Sequence, residues 1–308
     1  MSGRFAFLVH PLTPLARQVH GLRRADARYL FGRVDGTDPA LVAPVARVGL
    51  GDVSGLIVVV PMLPAQLLDD QGRALAAMVR AVQLAAPVEV VGLGSVLAAV
   101  AGRGVALEAA IGVPVTTGNA ATAWAATEVT RRVAAGHRRV AVLGARGATG
   151  RVIAERLAAL GFEVGADPER LAAWPVVVGA HTTGGVVSPS DLAPDAVLVD
   201  VALPPTLSGP PPPGVRVYAG EALALPAGWR RDVWGHVFHI VAGYGWDTVY
   251  ACLAEPLVAL REGRARPYAQ GRRVRLDDVE AFGEAATRAG FYVRVRPLPR
   301  PHAAPGIG

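Results

Sequence analysis

Lysine is missing from this chain altogether: all 31 of its Lys+Arg residues are arginine. That absence excludes Schiff-base catalysis, a lysine-anchored aldehyde cofactor and a lysine general acid within these residues. Cysteine is nearly as scarce, since Cys252 stands alone among 308 residues. One thiol cannot close an intramolecular disulfide and gives too few ligands for a cysteine zinc site, so it is either packing material or a reagent. Long apolar runs are lacking as well. The longest, Val90 to Gly102, is closed by Glu89 and Arg103 and falls short of the roughly 20 residues that a membrane span needs. Near the N-terminus the run "RFAFLV" is soon interrupted by His10 and Pro11, which does not read as a secretory signal. The expectation is a soluble, cytoplasmic protein.

What is present points to alternating β and α. A chain that is 52% hydrophobic with 36 Gly and 25 Pro suits an α/β protein with many tight connections. Apolar runs "RFAFLV", "GLIVVVP", "VEVVGLG" and "GVPVTT" alternate with amphipathic stretches such as "AQLLDDQGRALAAMVRAV", the pattern of a parallel α/β domain. The segment "GNAATAWAATEVTRRVAAGHRR" predicts a helix capped by Asn119 or Thr122 and ending at Gly136, connecting two domains. Next, "RRVAVLGARGATGRVIAERLAALGFEVG" reads as strand, glycine turn, helix and strand. "WPVVVGAHTTGG" and "DAVLVDVA" add further strands of a doubly wound, Rossmann-type sheet. From about Val233 the pattern is mainly helical, and the tail "RPLPRPHAAPGIG" has no periodicity. The expected organisation is an N-terminal α/β substrate domain over 1–118 and a Rossmann-type dinucleotide-binding domain over 119–232. A C-terminal helical segment over 233–308 carries Cys252 and packs back on the substrate domain.

The formal net charge is +6, with arginine pairs at Arg23/Arg24, Arg131/Arg132, Arg138/Arg139, Arg230/Arg231 and Arg272/Arg273. Such pairs are ordinarily solvated surface, and they also suit phosphorylated cofactors or an acidic carrier protein. They are spread along the chain, and no nucleic-acid recognition motif accompanies them.

Gly144, Gly147 and Gly150 form G-x-x-G-x-x-G between an apolar strand and a helix. A turn of this kind lets the backbone approach a pyrophosphate while the free N–H groups of the new helix face its charge. The candidate cofactor turn thus runs from Gly144 to Gly150 and includes Arg146, Ala148 and Thr149. Arg146 and Arg170 are the nearest candidates to grip a 2′-phosphate, whereas Asp167 would repel it and accept a ribose hydroxyl instead. Thr182 and Thr183, in "HTTGG", end a later strand and are expected near the nicotinamide end. The cofactor expected is NADPH, with NADH as the alternative.

In chain order, "VPVTTGNAATAWAATEVTRRV", "LGARGATG", "ACLAEPLVALREG" and "VEAFGEAATRAGF" together resemble the long-chain acyl-ACP reductases of the cyanobacterial type, which act on acyl carrier protein thioesters. The resemblance spans roughly residues 90 to 296, and the "TTGN" and "AC-x-AE" segments are its most specific parts. It implies reduction of fatty acyl thioesters, on acyl carrier protein or CoA, to fatty aldehydes. It further implies NADPH at the glycine turn and Cys252 as the catalytic nucleophile. The chain departs from the family in a shorter N-terminal region, in Arg146 within the turn and in Pro256. Ala166 and Asp167 stand where the family places an arginine suited to a 2′-phosphate.

The chemistry of Cys252 can be followed without the resemblance. A thioester donates its acyl group readily to another thiolate because the leaving thiolate is stable, so cysteine can capture it without an elaborate triad. Asp247 or Thr248 is expected to cap the helix that carries Cys252, placing the thiol just beyond the first turn, and Pro256 is expected to bend or restart that helix. His236 and His239 are candidate bases, though their spacing on an apolar segment equally fits packed core histidines. No further residue at ligand spacing joins them in a metal site. Three alternatives stand beside this reading: a cysteine serving as a small buried hydrophobe, a dehydrogenase of the shikimate or quinate type, and a non-catalytic nucleotide-binding sensor. The shikimate type looks to a lysine–aspartate pair, and there is no lysine here.

Overall fold

Strands covered on both faces read as unbroken apolar runs, and this chain has two sets of them. The structure, a computed structural model, describes residues 3–11, 42–236, 247–264, 266–272 and 274–298. His239 and residues 299–308 of the tail lie outside the described residues. Two compact units are present: Met1–Ala121 with Leu223–Tyr292, and Thr122–Ala222 with Val293–Gly308.

The first unit is built on β1 (Arg4–Val9), β2 (Ala43–Leu50), β3 (Val53–Val59), β4 (Val90–Leu93), β5 (Val115–Thr116) and β12 (Trp229–Arg231). Their order is β12-β2-β3-β1-β4-β5. The pairs β1–β3, β1–β4 and β4–β5 are parallel. β2 and β12 run antiparallel to their neighbours, so this sheet is mixed rather than parallel throughout. The reason is local: only Gly51 and Asp52 separate β2 from β3, and so short a loop can join only antiparallel strands. Helices α1 (Pro64–Asp69), α2 (Gln71–Ala85) and α3 (Val105–Ile111) belong to the same unit. α2 starts where Asp70 accepts from the Arg73 N–H at 2.9 Å. It buries Ala74, Ala77, Met78, Ala81 and Val82, one stripe at helical spacing, among the apolar residues of β1, β3 and β4.

The second unit contains β6 (Arg139–Leu143), β7 (Glu163–Ala166), β8 (Val176–Gly179), β9 (Val197–Asp200), β10 (Arg216–Ala219) and β15 (Arg296–Pro297), ordered β15-β10-β9-β8-β6-β7. All pairs but the β10–β15 edge are parallel. The chain leaves β6 toward β7 on one side and returns to β8 on the other. The order therefore reverses between β6 and β8, and the crevice beyond the carboxyl ends of those strands is where doubly wound sheets bind ligands. Helix α4 (Asn119–Val133) holds the boundary between the units, at Ala121 and Thr122, and α5 (Ala148–Ala159) connects β6 to β7.

Past Val233, α6 (Ala251–Arg261) and α7 (Leu276–Arg288) are accompanied by β13 (Thr248–Tyr250), β14 (Tyr292–Val293) and β15, which the helical expectation omitted. With β11 (Ala222–Ala224), the first two form a small sheet in the order β13-β11-β14. Strands of two or three residues are too short to display a period-2 pattern.

Within the second unit, Arg156 of α5 is a buried cation. Its guanidinium donates to Glu128 Oε1 at 3.1 Å and to Thr127 Oγ1, both on α4. Burial disfavours ionised Glu128, but Arg131 and Arg156 outweigh it and hold the carboxyl below its usual range. Removing one member of such a pair leaves the other poorly compensated. Arg156→Met is therefore expected to lose about 3 kcal/mol of stability, read as a lower urea midpoint. The lowered Glu128 pKa makes the pair's contribution complete above the ordinary carboxylate range, so the loss should shrink as the pH falls through that range.

Candidate functional site

Cys252 is the second residue of α6 and is partly exposed. Because β13 occupies Thr248–Tyr250, the helix cannot begin earlier, and Tyr250 takes the N-cap position without a capping side chain. This corrects the expectation that Asp247 or Thr248 caps the helix: the thiol lies within the first turn, not beyond it. Backbone N–H groups at a helix start have no intrahelical acceptor and favour a negative charge nearby, here on sulfur. Pro256 does not restart the helix, which runs unbroken to Arg261. It withholds the N–H that would otherwise reach the Cys252 carbonyl.

Gly118 of "TTGN" lies directly against that cysteine. It is buried with φ +71, and a Cβ built on it would fall 2.4 Å from Cys252 Cβ and 3.2 Å from the Cys252 carbonyl oxygen. Only glycine fits both the backbone conformation and the gap. Two segments 134 positions apart in the chain are thereby brought into contact.

The residue that secures this contact is Glu255, one helical turn after Cys252. It is fully buried. Its Oε1 is hydrogen-bonded to Thr116 Oγ1, and its Oε2 accepts from the Ala121 N–H at 2.9 Å in the first turn of α4. Thr116 Oγ1 also accepts from the Gly118 N–H at 3.1 Å and lies 3.1 Å from the Ala269 carbonyl, which accepts from the Thr117 N–H at 3.0 Å. Burial pushes the Glu255 carboxyl up to about 7, against the hydrogen bonds from Thr116, Ala121 and Ala269. In the sequence Glu255 falls inside "AC-x-AE", where nothing local assigns it a role. The available signal was an acid three positions from the only cysteine on an otherwise apolar helix.

In the second unit Gly144 ends β6 with φ +80, and a Cβ there would meet the Ala180 carbonyl oxygen at 2.4 Å. The ends of β6 and β8 therefore approach too closely for any side chain. Gly150 packs on the Gly144 carbonyl, where a Cβ would fall at 2.1 Å. Gly147 is the N-cap of α5, is exposed, and has only the Gly144 carbonyl near its open side, at 3.1 Å. Ala148 and Thr149 open the helix, partly exposed. Asp167 follows β7 and accepts from the Gly144 N–H at 2.6 Å and the Ala145 N–H at 3.4 Å, which draws it onto the turn. Arg146 and Arg170 are exposed, as are Thr182 and Thr183 beyond β8. His181, beside the Gly144 turn, pairs through Nδ1 with the Thr183 carbonyl, while its Nε2 is buried without a partner. At the end of β9, buried Asp200 accepts from Thr206 N at 2.8 Å, Thr206 Oγ1 at 2.6 Å and Ala202 N at 3.0 Å, fixing the loop that follows. The glycine turn, Asp167 and the start of "HTTGG" thus converge where the strand order reverses. His236 lies in the first unit and pairs with the Asp232 carbonyl.

No family model matches the chain. A curated relative, the aminotransferase PigE of Serratia sp. (strain ATCC 39006), is 27% identical over 251 residues, covering 67% of this chain and 28% of PigE. The chain thus spans little more than a quarter of that relative's length. Among solved structures, the methylenetetrahydrofolate dehydrogenase-cyclohydrolase of Trypanosoma brucei, complexed with NADP and an inhibitor, is 15% identical. That match covers 85% of this chain and 88% of the other with a TM-score of 0.37. Glutamate dehydrogenase of Thermus thermophilus is 14% identical, covering 94% of this chain and 74% of that one with a TM-score of 0.35.

The Gly118 contact can be checked directly. Gly118→Ala adds a clash and a strained φ in one step and is expected to lose roughly 2 kcal/mol or more of stability. Thermal unfolding should show a lowered Tm, and an unchanged Tm would contradict the packing of Gly118 on Cys252.

Proposed function

We propose that the protein is an NADPH-dependent oxidoreductase that reduces an acyl thioester, carried on acyl carrier protein or CoA, to an aldehyde through an acyl group held on Cys252. The observation that carries this reading is the seating of the only thiol in the first turn of α6, partly exposed and packed under Gly118. A cysteine that merely filled the core would have no use for a helix start or for an approach restricted to glycine.

The Cys252 thiolate attacks the acyl carbonyl, a new C–S bond forms, and the carrier leaves as a thiolate that takes up a proton. A nicotinamide dinucleotide held at the glycine turn would supply the hydride. Collapse of the resulting thiohemiacetal breaks the C–S bond and returns Cys252 as thiolate with release of the aldehyde. Overall, one hydride and one proton convert the thioester to aldehyde and free carrier thiol.

The turn fits such a cofactor. The Gly147 N–H is spent on the Gly144 carbonyl at 2.8 Å, while the start of α5 from Ala148 onward offers backbone N–H groups to a pyrophosphate beside the uncrowded glycine. Arg146 and Arg170 present guanidinium groups for a 2′-phosphate, and Asp167 is already engaged by the turn's own N–H groups, which lowers its competition for the ribose. Transamination is disfavoured for these residues, despite the name of the curated relative, because no lysine is present to hold an aldehyde cofactor. The same absence disfavours the shikimate type of dehydrogenase.

Incubating the protein with NADPH and a panel of acyl-ACP and acyl-CoA thioesters tests this reading. NADPH oxidation matched one for one by aldehyde is expected. Cofactor binding without turnover would favour a sensor, and turnover of small non-thioester substrates alone would favour another dehydrogenase. Gly147→Val, which aims a branched side chain at the turn, is expected to lose NADPH binding while remaining folded, with a modestly lowered Tm because the Gly144 carbonyl at 3.1 Å must give way. Unchanged NADPH affinity would contradict the site.

A further inference from the structure

We infer that Glu255 is the positioning residue of the Cys252 site. Acting as the neutral acid, it clamps Gly118 against the cysteine backbone through Thr116 and keeps carboxylate charge away from the nucleophile on its own helix face. This rests on the reading of Cys252 as the nucleophile.

Full burial, with no cation paired to it among the described residues, favours the neutral form. Thr116 has one hydroxyl proton and two acceptors in reach, Glu255 Oε1 and the Ala269 carbonyl at 3.1 Å. With Glu255 ionised, that proton goes to the carboxylate, and Ala269 retains the Thr117 N–H at 3.0 Å and the Thr117 hydroxyl at 3.4 Å. With Glu255 neutral, its own O–H donates to Thr116 Oγ1 and the threonine O–H is free to donate to Ala269. The Gly118 N–H donates to Oγ1 in both cases, and the carboxyl accepts from the Ala121 and Ala269 N–H groups in both. The neutral acid lets Thr116 donate to Ala269 at 3.1 Å, closer than the Thr117 hydroxyl, and avoids an unpaired charge in a site that water does not reach.

The charges facing Glu255 do not reverse this. Asp278 on α7 opposes its ionisation, and Tyr268 is a neutral phenol pushed up to about 12. Arg264 is turned to other partners, stacking over the Tyr268 ring at 4.1 Å and lying 3.7 Å from Asp278. Cys252 lies one turn away on the same helix, so a carboxylate charge at Glu255 would disfavour the thiolate. Burial raises the carboxyl to about 7, outweighing the hydrogen bonds that favour its ionised form.

Alkylation of the free protein by iodoacetamide tests the inference on the one thiol present, without acyl substrate or cofactor, so its outcome is independent of whether the protein reduces thioesters. In the wild type, two coupled groups should broaden the pH profile of the alkylation rate beyond a single-proton curve. Glu255→Gln mimics the neutral acid and donates to Thr116 in the same way. It should keep the wild-type rate at pH 6, follow a single-proton curve, and reach half-maximal rate about one pH unit lower. Glu255→Ala, which loses the clamp, should differ from wild type at every pH. A single-proton curve in the wild type would overturn the inference. So would a Glu255→Gln profile that superimposes on the wild type, or one that matches Glu255→Ala, because a purely structural role would not move the thiol's titration.

Discussion

A carboxyl group shut away from water must find every partner inside the protein, and at Glu255 those partners come from three separate stretches of chain. Thr116 ends β5, Ala121 opens α4, and Ala269 lies beyond α6. Satisfying one side chain therefore fixes the end of a strand, the start of a helix and a later loop against α6. The tight approach of Gly118 to Cys252 follows from that arrangement. Without the clamp, a turn with positive φ would have little reason to stay pressed on a helix start. The position of the thiol depends on a group fully shut away from solvent.

The second unit solves its problem with backbone rather than buried acid. β6 and β8 converge until the Gly144 backbone meets the Ala180 carbonyl, and Asp167 ties the turn from the side of β7. Asp200 likewise fastens the loop after β9 by three hydrogen bonds. Loops at the carboxyl edge of the sheet are thus held by side chains at the strand ends. Ties of this kind leave little ordering to be done at that edge.

Much of this was readable in the residues. Runs such as "RFAFLV" and "RRVAVL" are apolar without interruption because their strands are covered on both faces, so length and composition suffice to find them. β2, "APVARVGL", escaped notice because Pro44 and Arg47 break up its apolar character and its direction is set by a two-residue loop. The start of α6 was misplaced for a related reason. Asp247 and Thr248 are good capping types, but Thr248 is drawn into β13, and pairing in a sheet overrides local capping preference. Glu255 was legible as a letter and not as a role, since its partners lie 134 and 139 positions away and no local pattern announces them.

The central claim is that Cys252 carries the acyl group. Its most direct test is the intact mass of the protein after mixing with an acyl thioester in the absence of reduced cofactor, followed by peptide mapping. The account predicts a mass increase of one acyl group, located on Cys252, absent from Cys252→Ala and discharged when NADPH is added. An unmodified wild-type protein that still makes aldehyde once NADPH is supplied, or a Cys252→Ala variant with normal turnover, would contradict it.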